Sequence, residues 1–304
     1  MFKKLLLGAA IAAALPAASP ALAAGLDLSK YQLVGSHALA SEASEASAVT
    51  YNWDTGTLFV LGDEGDALVE VDKEGQKLGV MSLTGFDDTE GLAYVGGGKF
   101  VVTEERLQDA YVLSYTANGS VARGGLPSVS LGPTIGNIGI EGVSFDRNNG
   151  KFYAVKEKTP QAVYEVAMDF DAGTAGVTSL FAPALGALDL SDVAVLSSVP
   201  MLAGHPDASN LLIFSQESAV LMEVSRSGEK LSTFDFSALS ENAEGITIDD
   251  DGVIYVVAET TLVPNSAEVP TLYVLSAPVP EPSTMVLLGA GLLGVAGFAR
   301  RRSR

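Results

Sequence analysis

One motif recurs five times along this chain, and no other sequence feature restricts its fold as much. Each copy is a short, mostly apolar strand, a turn, and a second β-rich strand that ends in an acidic residue. In the third copy the strand 141–146 is followed by Asn148-Asn149-Gly150 and the strand 152–157. The spacings between the first residues of successive copies are 43, 51, 50 and 53. The body of the chain is therefore a series of similar antiparallel units.

These units predict an all-β fold, namely a β-propeller. Gly-rich, Asn-Gly and Asp-Gly turns join the first two strands as in hairpins, and units of this length with three or four strands are typical of propeller blades. Third strands are predicted at 67–71, 110–115, 162–166, 219–224 and 271–275. Five copies predict five blades, with the strand 31–34 completing the last one. A sixth blade could lie in segment 24–40 or in segment 167–190. The alternative architecture is a β-sandwich.

The repeat also places acidic residues at one end of the predicted central channel. The first two strands of a blade are antiparallel neighbours, so the residue that opens the first and the residue that closes the second lie at the same edge. The opening residues are Ser47, Glu90, Glu141, Ser191 (followed by Asp192) and Glu244. The closing residues are Asp63, Glu105, Glu157, Glu217 and Glu259. If the first strands are innermost, we expect two adjacent rings of side chains around one channel mouth.

Crowded carboxylates repel one another unless protons or a cation neutralise them. Oxygen ligands without His or Cys suit Ca²⁺, and suit Mg²⁺ less well. The predicted metal ligands are Glu90, Glu141, Asp192, Glu244, Asp63, Glu105, Glu157, Glu217 and Glu259. Gly91, Gly142 and Gly245 follow three of the opening acids and would allow a close approach of the backbone. Ser47 departs from the acidic pattern, and the simpler alternative is that the acids only face solvent.

The sequence contains no recognisable catalytic constellation, and we expect a protein that is not an enzyme. The chain has no Cys and two His, and it lacks a G-x-S-x-G motif and a phosphate-binding loop. Arg106, Lys156 and Lys158 lie beside closing acids and would either bind an anionic ligand or pair with the acids. The alternative function is a metal-dependent hydrolase, a phytase-like esterase or lactonase, in which a channel-mouth Ca²⁺ activates water.

Both ends of the chain are typical of targeting segments. Lys3 and Lys4 precede the apolar run 5–15, and Ala21-Leu22-Ala23 is a cleavage pattern, so we predict a signal peptide over residues 1–24. At the other end Pro280-Glu281-Pro282 is followed by the apolar stretch 285–299 and by Arg300-Arg301-Arg302. The stretch is shorter than the roughly 20 residues of a membrane-spanning helix. By the positive-inside rule, the arginines would remain on the cytoplasmic side.

This C-terminal order closely resembles the PEP-CTERM sorting signal. The resemblance implies a short C-terminal apolar helix, recognition and removal of the tail by an exosortase-type enzyme, and transient membrane association through residues 285–299. It implies export through the inner membrane to the cell surface, outer membrane or extracellular matrix of a Gram-negative bacterium. An ordinary tail anchor is the alternative. The predicted domains are a signal peptide over 1–24, a propeller over 25–278 and a sorting tail over 279–304.

Removal of both ends makes the remaining body more acidic. It keeps 12 Lys and Arg against 36 Asp and Glu, a net charge near −24. Such a body repels nucleic acid and anionic lipid and favours cations. We therefore expect no nucleic-acid partner.

The run from 44 to 275 resembles the SdiA-regulated (YjiK-like) β-propeller family. The resemblance lies in Glu90-Gly91-Leu92-Ala93-Tyr94, Glu141-Gly142-Val143-Ser144-Phe145, Leu190-Ser191-Asp192 and Ala243-Glu244-Gly245-Ile246-Thr247, with the acids that end the second strands. It implies a five-bladed propeller with bound calcium and no established activity. The expected function is therefore an exported, surface-associated calcium-binding module that binds an unknown ligand or a component of the extracellular matrix.

Overall fold

Each repeat forms the core of a four-stranded antiparallel sheet, one sheet gains a fifth, parallel strand, and the five sheets are the blades of a β-propeller. The computed structural model describes residues 25–261 and 269–278. In three blades a side-chain oxygen fixes the turn after the first strand. Asn52, Asp146 and Asp249 each accept the backbone N–H of the residue two positions further on, at 2.9, 2.9 and 3.0 Å. These Asx turns reverse the chain without help from another part of the fold.

The strands are numbered in chain order, and the first one, β1 (Gln32–Ala38), belongs to the last blade. Blade 1 contains β2 (Ala46–Asn52), β3 (Thr57–Gly62), β4 (Ala67–Val71) and β5 (Lys77–Thr84). Blade 2 contains β6 (Thr89–Gly96), β7 (Lys99–Glu104), β8 (Asp109–Ser114) and β10 (Ser128–Ser130), while β9 (Ser120–Ala122) joins blade 1. Blade 3 contains β11 (Ile140–Asp146), β12 (Lys151–Lys156), β13 (Ala162–Asp169) and β14 (Thr174–Phe181). Blade 4 contains β15 (Asp192–Val195), β16 (Leu211–Ser215), β17 (Val220–Val224) and β18 (Lys230–Asp235). Blade 5 contains β19 (Ala243–Ile248), β20 (Ile254–Thr261), β21 (Val269–Ser276) and β1.

Short 3-10 helices occupy some of the connections. They are Leu28–Lys30, Ser41–Ala43, Arg123–Gly125, Pro200–Leu202 and Pro206–Ser209. Within the described ranges, no helix has the length and apolar character needed to cross a membrane. The predicted signal peptide and C-terminal helix lie outside the described residues.

The ring is closed in the manner that the sequence predicts. The first strands β2, β6, β11, β15 and β19 contact one another in succession, and β19 contacts β2. β1 pairs antiparallel with β21, from Gln32 opposite Ser276 to Ala38 opposite Thr271. The N-terminal strand therefore completes blade 5, although it extends to residue 38 rather than ending at 34. The two segments that left room for a sixth blade instead supply β1 and β14, the fourth strands of blades 5 and 3.

The hydrophobic core lies between the blades. Five clusters of buried apolar side chains occupy the five interfaces between neighbouring sheets. Phe59 of blade 1 and Phe100 of blade 2 pack with ring centroids 4.4 Å apart, and Phe214 of blade 4 packs against Phe236 at 5.5 Å. Because each large apolar side chain contributes about 1.5–3 kcal/mol on burial, blade stacking is the main source of stability.

Hydroxyl groups join the inner edges of neighbouring blades. The backbone N–H of Tyr51 donates a hydrogen bond to the hydroxyl of Thr247 at 3.1 Å, and that of Tyr94 donates one to the hydroxyl of Thr50 at 3.2 Å. Both bonds cross from one first strand to the next, and Ser144 accepts the N–H of Val195 in the same way at 3.1 Å. These side chains satisfy backbone donors that have no further strand to pair with.

Three glycines allow the first strands to approach closely where they begin. A Cβ atom on Gly142 would lie 2.5 Å from the Cα of Asp192 in blade 4. A Cβ atom on Gly245 would lie 2.6 Å from the carbonyl oxygen of Ser47 in blade 1. At Gly91 the nearest atom is Thr103 Oγ1 of its own blade, at 2.2 Å. The close backbone approach expected after the opening acids is therefore present.

Replacement of Gly142 by Ala should destabilise the propeller. The new Cβ would meet backbone of the next blade, and overpacking of this kind costs about 1–3 kcal/mol. Gly176 of β14 is the matched control, because it is a strand glycine of the same blade with nothing within 4 Å of its added Cβ. Denaturant unfolding should show a lower free energy of unfolding for Gly142→Ala and no loss for Gly176→Ala. Equal stability of the two variants would contradict the packing described here.

Candidate functional site

The opening acids of blades 2 and 3 lie in β-bulges at the start of the first strands. Thr89 pairs with Glu104 and Gly91 with Thr103, so Glu90 has no partner of its own. Ile140 pairs with Lys156 and Gly142 with Val155, which leaves Glu141 as the extra residue in the same way. A bulge re-aims the side chain of its extra residue. The register also shifts at Ser47 in blade 1 and between Ala243 and Ile246 in blade 5.

The closing acids lie beside the opening residues because a second backbone contact holds each of them there. In four blades the N–H of the closing acid is donated to the carbonyl oxygen of the residue two positions before the opening residue. The bonds are Asp63 to Glu45 at 3.0 Å, Glu105 to Asp88 at 2.9 Å, Glu157 to Gly139 at 3.1 Å and Glu259 to Asn242 at 3.1 Å. In blade 4 the N–H of Glu217 is donated to the carboxylate of Asp189 at 3.1 Å. The two sets of residues therefore share one end of the channel.

One close acidic group at this mouth is formed by Glu105, Glu141 and Glu157. Each offers one carboxylate oxygen, and these oxygens all lie within 4.8 Å of one another. Glu105 is buried and accepts the N–H of Gly139 at 2.6 Å. Carboxylates this close repel one another, which favours the protonated form of at least one of them unless a cation is bound.

Burial and like charge raise the pKa of the mouth carboxyls. Burial is the main cause at Glu90, Glu141 and Glu244, whose pKa values lie well above the ordinary value for Glu. The next cause is a neighbouring acid: Glu244 acts on Glu90, Glu90 on Glu141, and Glu259 on Glu244. Desolvation also raises the pKa of Asp63, Glu105 and Glu259. A mouth with this many unfavourable charges holds protons or a cation.

Asp192 has a structural environment different from the other predicted ligands. It is buried, and its two carboxylate oxygens accept the N–H groups of Val193 and Ile246, each at 2.7 Å. The bond to Ile246 joins blade 4 to blade 5. Desolvation raises the pKa of Asp192 well above its usual range. Both oxygens thus accept hydrogen bonds from backbone donors.

Other predicted site residues have partners of their own. Glu217 is exposed and forms an ion pair with Lys158 at 2.6 Å. Lys158 also pairs with Glu157. The side-chain amide of Gln216 donates to Glu244. Ser47 is buried and donates its hydroxyl to the carbonyl oxygen of Thr89 in blade 2, at 2.9 Å.

The basic residues near the mouth pair with acids or carbonyls. Arg106 bonds to the carboxylate of Asp88 at 3.0 Å, and Lys156 donates to the main-chain carbonyls of Lys158 and Pro160. Desolvation lowers the pKa of Lys156. Of the two roles expected for these residues, pairing within the protein is the one observed for Arg106 and Lys158.

Sequence reasoning missed the acids that lie two positions before the opening residues. These are Glu45, Asp88 and Asp189. Asp88 and Asp189 are buried, and Asp88 contributes to the raised pKa of Glu90. Glu45 forms a second close group with Asp63 and Glu64, whose ligand oxygens lie within 4.8 Å of one another. An acid at the same offset in three of five repeats was the signal that could have revealed them.

Within the described residues, the mouth brings carboxylate oxygens together without a histidine beside them. Glu90, Glu105, Glu141 and Glu157 offer oxygen ligands. The two histidines lie elsewhere, His37 on the outer strand β1 and His205 beside Asp207 at 3.2 Å in the long insertion of blade 4. A Ser or Cys nucleophile with a His base is therefore not formed at this mouth.

Comparison with protein-family models gives two matches. The model of the SdiA-regulated family matches residues 23–265. The model of the PEP-CTERM protein-sorting motif matches residues 278–303. Together the matches span nearly all of the chain.

Among solved structures, the chain is similar to a glutaminyl cyclase of Myxococcus xanthus, with a TM-score of 0.53 and 12% identity over 81% of this chain and 95% of that chain. It is also similar to a luciferin-regenerating enzyme, with a TM-score of 0.47 and 11% identity over 80% and 94% of the two chains. The virginiamycin B lyase of Staphylococcus aureus gives a TM-score of 0.42 and 13% identity over 79% and 73%. At this identity the first match supports the propeller fold alone.

The stability of the metal-free protein should fall as the pH rises. Folding raises the pKa of the mouth carboxyls, so their contribution is full below the unfolded value of 4.5 and is lost as the pH rises through the folded pKa. Thermal unfolding in a chelator should therefore give a lower midpoint at about pH 8 than at about pH 5. Glu141→Gln should flatten this dependence, whereas Glu229→Gln, an exposed acid in the β17–β18 turn, should retain it. The same slope in both variants would contradict the electrostatic account of the mouth.

Proposed function

The chain belongs to the SdiA-regulated family, and from its propeller fold, sorting motif and acidic channel mouth we propose that it is an exported calcium-binding protein that acts as a binding module. The PEP-CTERM motif indicates export and sorting by an exosortase. The proposal adds a Ca²⁺ ion at the mouth, a ligand that docks there, and a final position at the cell surface. It takes residues 25–278 as the mature propeller, without the signal peptide 1–24 and the tail 279–304.

The observation that supports the calcium site is the close group of Glu105, Glu141 and Glu157. These side chains come from two blades. The raised pKa values of Glu105 and Glu141 reflect burial and like charge that the protein itself does not neutralise. A divalent cation would offset both the cost of burying these carboxylates and their mutual repulsion. Oxygen ligands from carboxylates are the kind that Ca²⁺ prefers.

The Lys158 ion pairs do not argue against the cation. The Lys158 side chain is about one third exposed at 32%, and exposed pairs contribute only about 0–1 kcal/mol. Lys158 can therefore turn towards Glu217 while Glu157 binds metal. The second group, Glu45 with Asp63 and Glu64, is the weaker candidate because Glu45 and Glu64 are exposed to solvent.

The binding role follows from the number of ligands that Ca²⁺ takes. Six to eight oxygens surround the ion in proteins, and Glu90, Glu105, Glu141 and Glu157 supply only part of such a shell. Water or an oxygen-rich ligand would complete it. The mouth thus suits a partner that docks through the metal. Without a bound cation, a body with a net charge near −24 would repel an anionic partner.

Calorimetric titration of the purified protein with Ca²⁺ tests the metal site. We expect saturable heat and a higher thermal midpoint, because a ligand that binds only the folded state stabilises it. Glu90→Gln with Glu141→Gln should weaken binding by about tenfold or more, or about 1.4 kcal/mol. Glu229→Gln is the matched control and should bind as the unaltered protein does. Absence of both heat and stabilisation, with the double variant behaving like the control, would refute the site.

The same variants separate a binding module from the alternative hydrolase. A binding module should give no turnover of phosphoester or lactone substrates in the presence of Ca²⁺. Turnover that disappears in the Glu90→Gln and Glu141→Gln variant would overturn the non-catalytic role while retaining the metal.

Sorting is tested by the mass of the exported protein. In a host with an exosortase, intact-mass measurement should find a product that lacks the C-terminal tail. Replacement of Arg300, Arg301 and Arg302 by Ala should leave the tail attached, because the basic cluster completes the sorting motif. A full-length protein that stays in the membrane fraction of the unaltered strain would instead indicate a tail anchor.

A further inference from the structure

A second pocket lies at the opposite end of the channel from the acids. It is an open depression with a cavity volume of about 40 Å³, within about 420 Å³ of surrounding space that includes open solvent, and residues from all five blades line it. Its lining begins three residues along the first strands from the opening residues, at Thr50, Ser144 and Thr247, and ends in the following turns. None of the predicted metal ligands lies among its lining residues.

Aromatic side chains form one wall of this pocket. Trp53 and Tyr94 pack edge to face with ring centroids 4.5 Å apart. Phe145 lies on the other side of Trp53, with centroids 6.4 Å apart and ring planes within 19° of parallel. Tyr51, Trp53 and Phe145 are half-buried, so parts of their rings remain accessible. Such a wall favours a ligand with a flat, partly apolar face.

The charges that border the pocket are already paired. Arg147 bonds to Asp250 at 2.8 Å and to the carbonyl oxygen of Ser198 at 2.6 Å, and its guanidinium lies 5.2 Å from the Trp53 ring centroid. Lys73 bonds to Asp249 at 2.6 Å. Neither pair therefore offers a free charge to a charged ligand. The pocket thus suits a neutral molecule.

Its other polar groups are mostly hydrogen-bond donors. The hydroxyls of Thr50, Ser144 and Thr247 each accept a backbone N–H, which leaves their own protons to be donated. The indole N–H of Trp53 and the hydroxyl of Tyr51 have no hydrogen-bond partner within residues 25–261 and 269–278. A hydrocarbon would leave these donors without acceptors, at a free-energy cost.

We propose that this pocket binds a neutral, oxygen-rich ring, namely a pyranose unit of an oligosaccharide or polysaccharide. The flat carbon–hydrogen face of the sugar would lie against the accessible part of the aromatic wall formed by Tyr51, Trp53 and Phe145. Its hydroxyl and ring oxygens would accept from the donors of the pocket and from the remaining N–H groups of Arg147, and Asp250 would accept a sugar hydroxyl. The proposal does not depend on the calcium site, because it uses none of the mouth carboxylates.

Trp53 is the only tryptophan of the chain, so its fluorescence reports directly on the pocket. We would titrate the full protein with cellobiose and with maltose and follow the emission of Trp53. A saturable change below about 50 mM with either disaccharide is the expected result, and the absence of any change overturns the proposal. A response to 4-hydroxybenzoate or to choline in place of the disaccharides also overturns it and assigns an ionic ligand.

Variants distinguish this pocket from the rest of the surface. Arg147→Gln should weaken the binding of the responding disaccharide by about tenfold in the fluorescence titration. Trp53→Phe, measured by calorimetry because it removes the reporter, should also weaken it. Glu141→Gln at the other mouth is the control and should leave sugar affinity unchanged whether or not Ca²⁺ binds there. If thermal unfolding shows either pocket variant folded and its affinity is unchanged, the sugar site is refuted.

Discussion

The inner edges of the five first strands are the constraint on which the rest of the molecule depends. Each edge carries backbone N–H and C=O groups with no further strand to pair with, and all five face one narrow channel. Hydroxyls satisfy part of this edge, as at Thr50, Ser144 and Thr247, which accept N–H groups from a neighbouring blade. Ser191 donates its hydroxyl to the carbonyl oxygen of Glu244 at 3.3 Å, and Asp192 accepts the N–H of Ile246. Because these bonds cross between blades, side chains of neighbouring blades satisfy part of the inner edges of blades 1, 2, 4 and 5.

The opening residues of the repeat fall into two groups: some form hydrogen bonds between blades, and the others are buried acids. In blades 1 and 4 they are Ser47, Ser191 and Asp192, whose side chains bond to the backbone of the next blade. In blades 2, 3 and 5 they are glutamates, whose buried carboxyls raise one another's pKa. Burial of like charges is unfavourable for folding, and the interblade packing outweighs it. A site that opposes stability in this way is typical of a functional position. Ser47, which departs from the acidic pattern, instead helps to join blade 1 to blade 2 through its bond to Thr89.

The sequence predicted the blades more completely than it predicted the site. Hairpin turns and short apolar strands are local signals, so the five blades and the closing role of the N-terminal strand could be read directly. Among the fourth strands, β10 has only three residues, and β14 and β18 are largely exposed, so these strands show little apolar alternation. The shared end of opening and closing acids followed from antiparallel geometry, but the role of Asp192 did not, because its bond to Ile246 depends on where blade 5 lies. The importance of Asp88 and Asp189 was missed for the same reason: their burial arises from loops that only the folded ring brings together.

The two ends of the channel can act independently because of their separation and their charge. Trp53 follows Ser47 by six positions, just beyond the end of β2, a distance of roughly 20 Å along the strand. At an effective dielectric constant of about 20, two unit charges at that distance interact by only about 1 kcal/mol. A divalent ion at the acidic mouth would therefore change the affinity of a charged ligand at the far pocket by a modest factor, and that of a neutral ligand very little. The first strands also form a ring fixed by glycine contacts and interblade hydrogen bonds, which offers no loosely packed element to carry a rearrangement from one mouth to the other. A neutral ligand at the aromatic end is thus the kind that this fold can bind without opposing the cation at its acidic end.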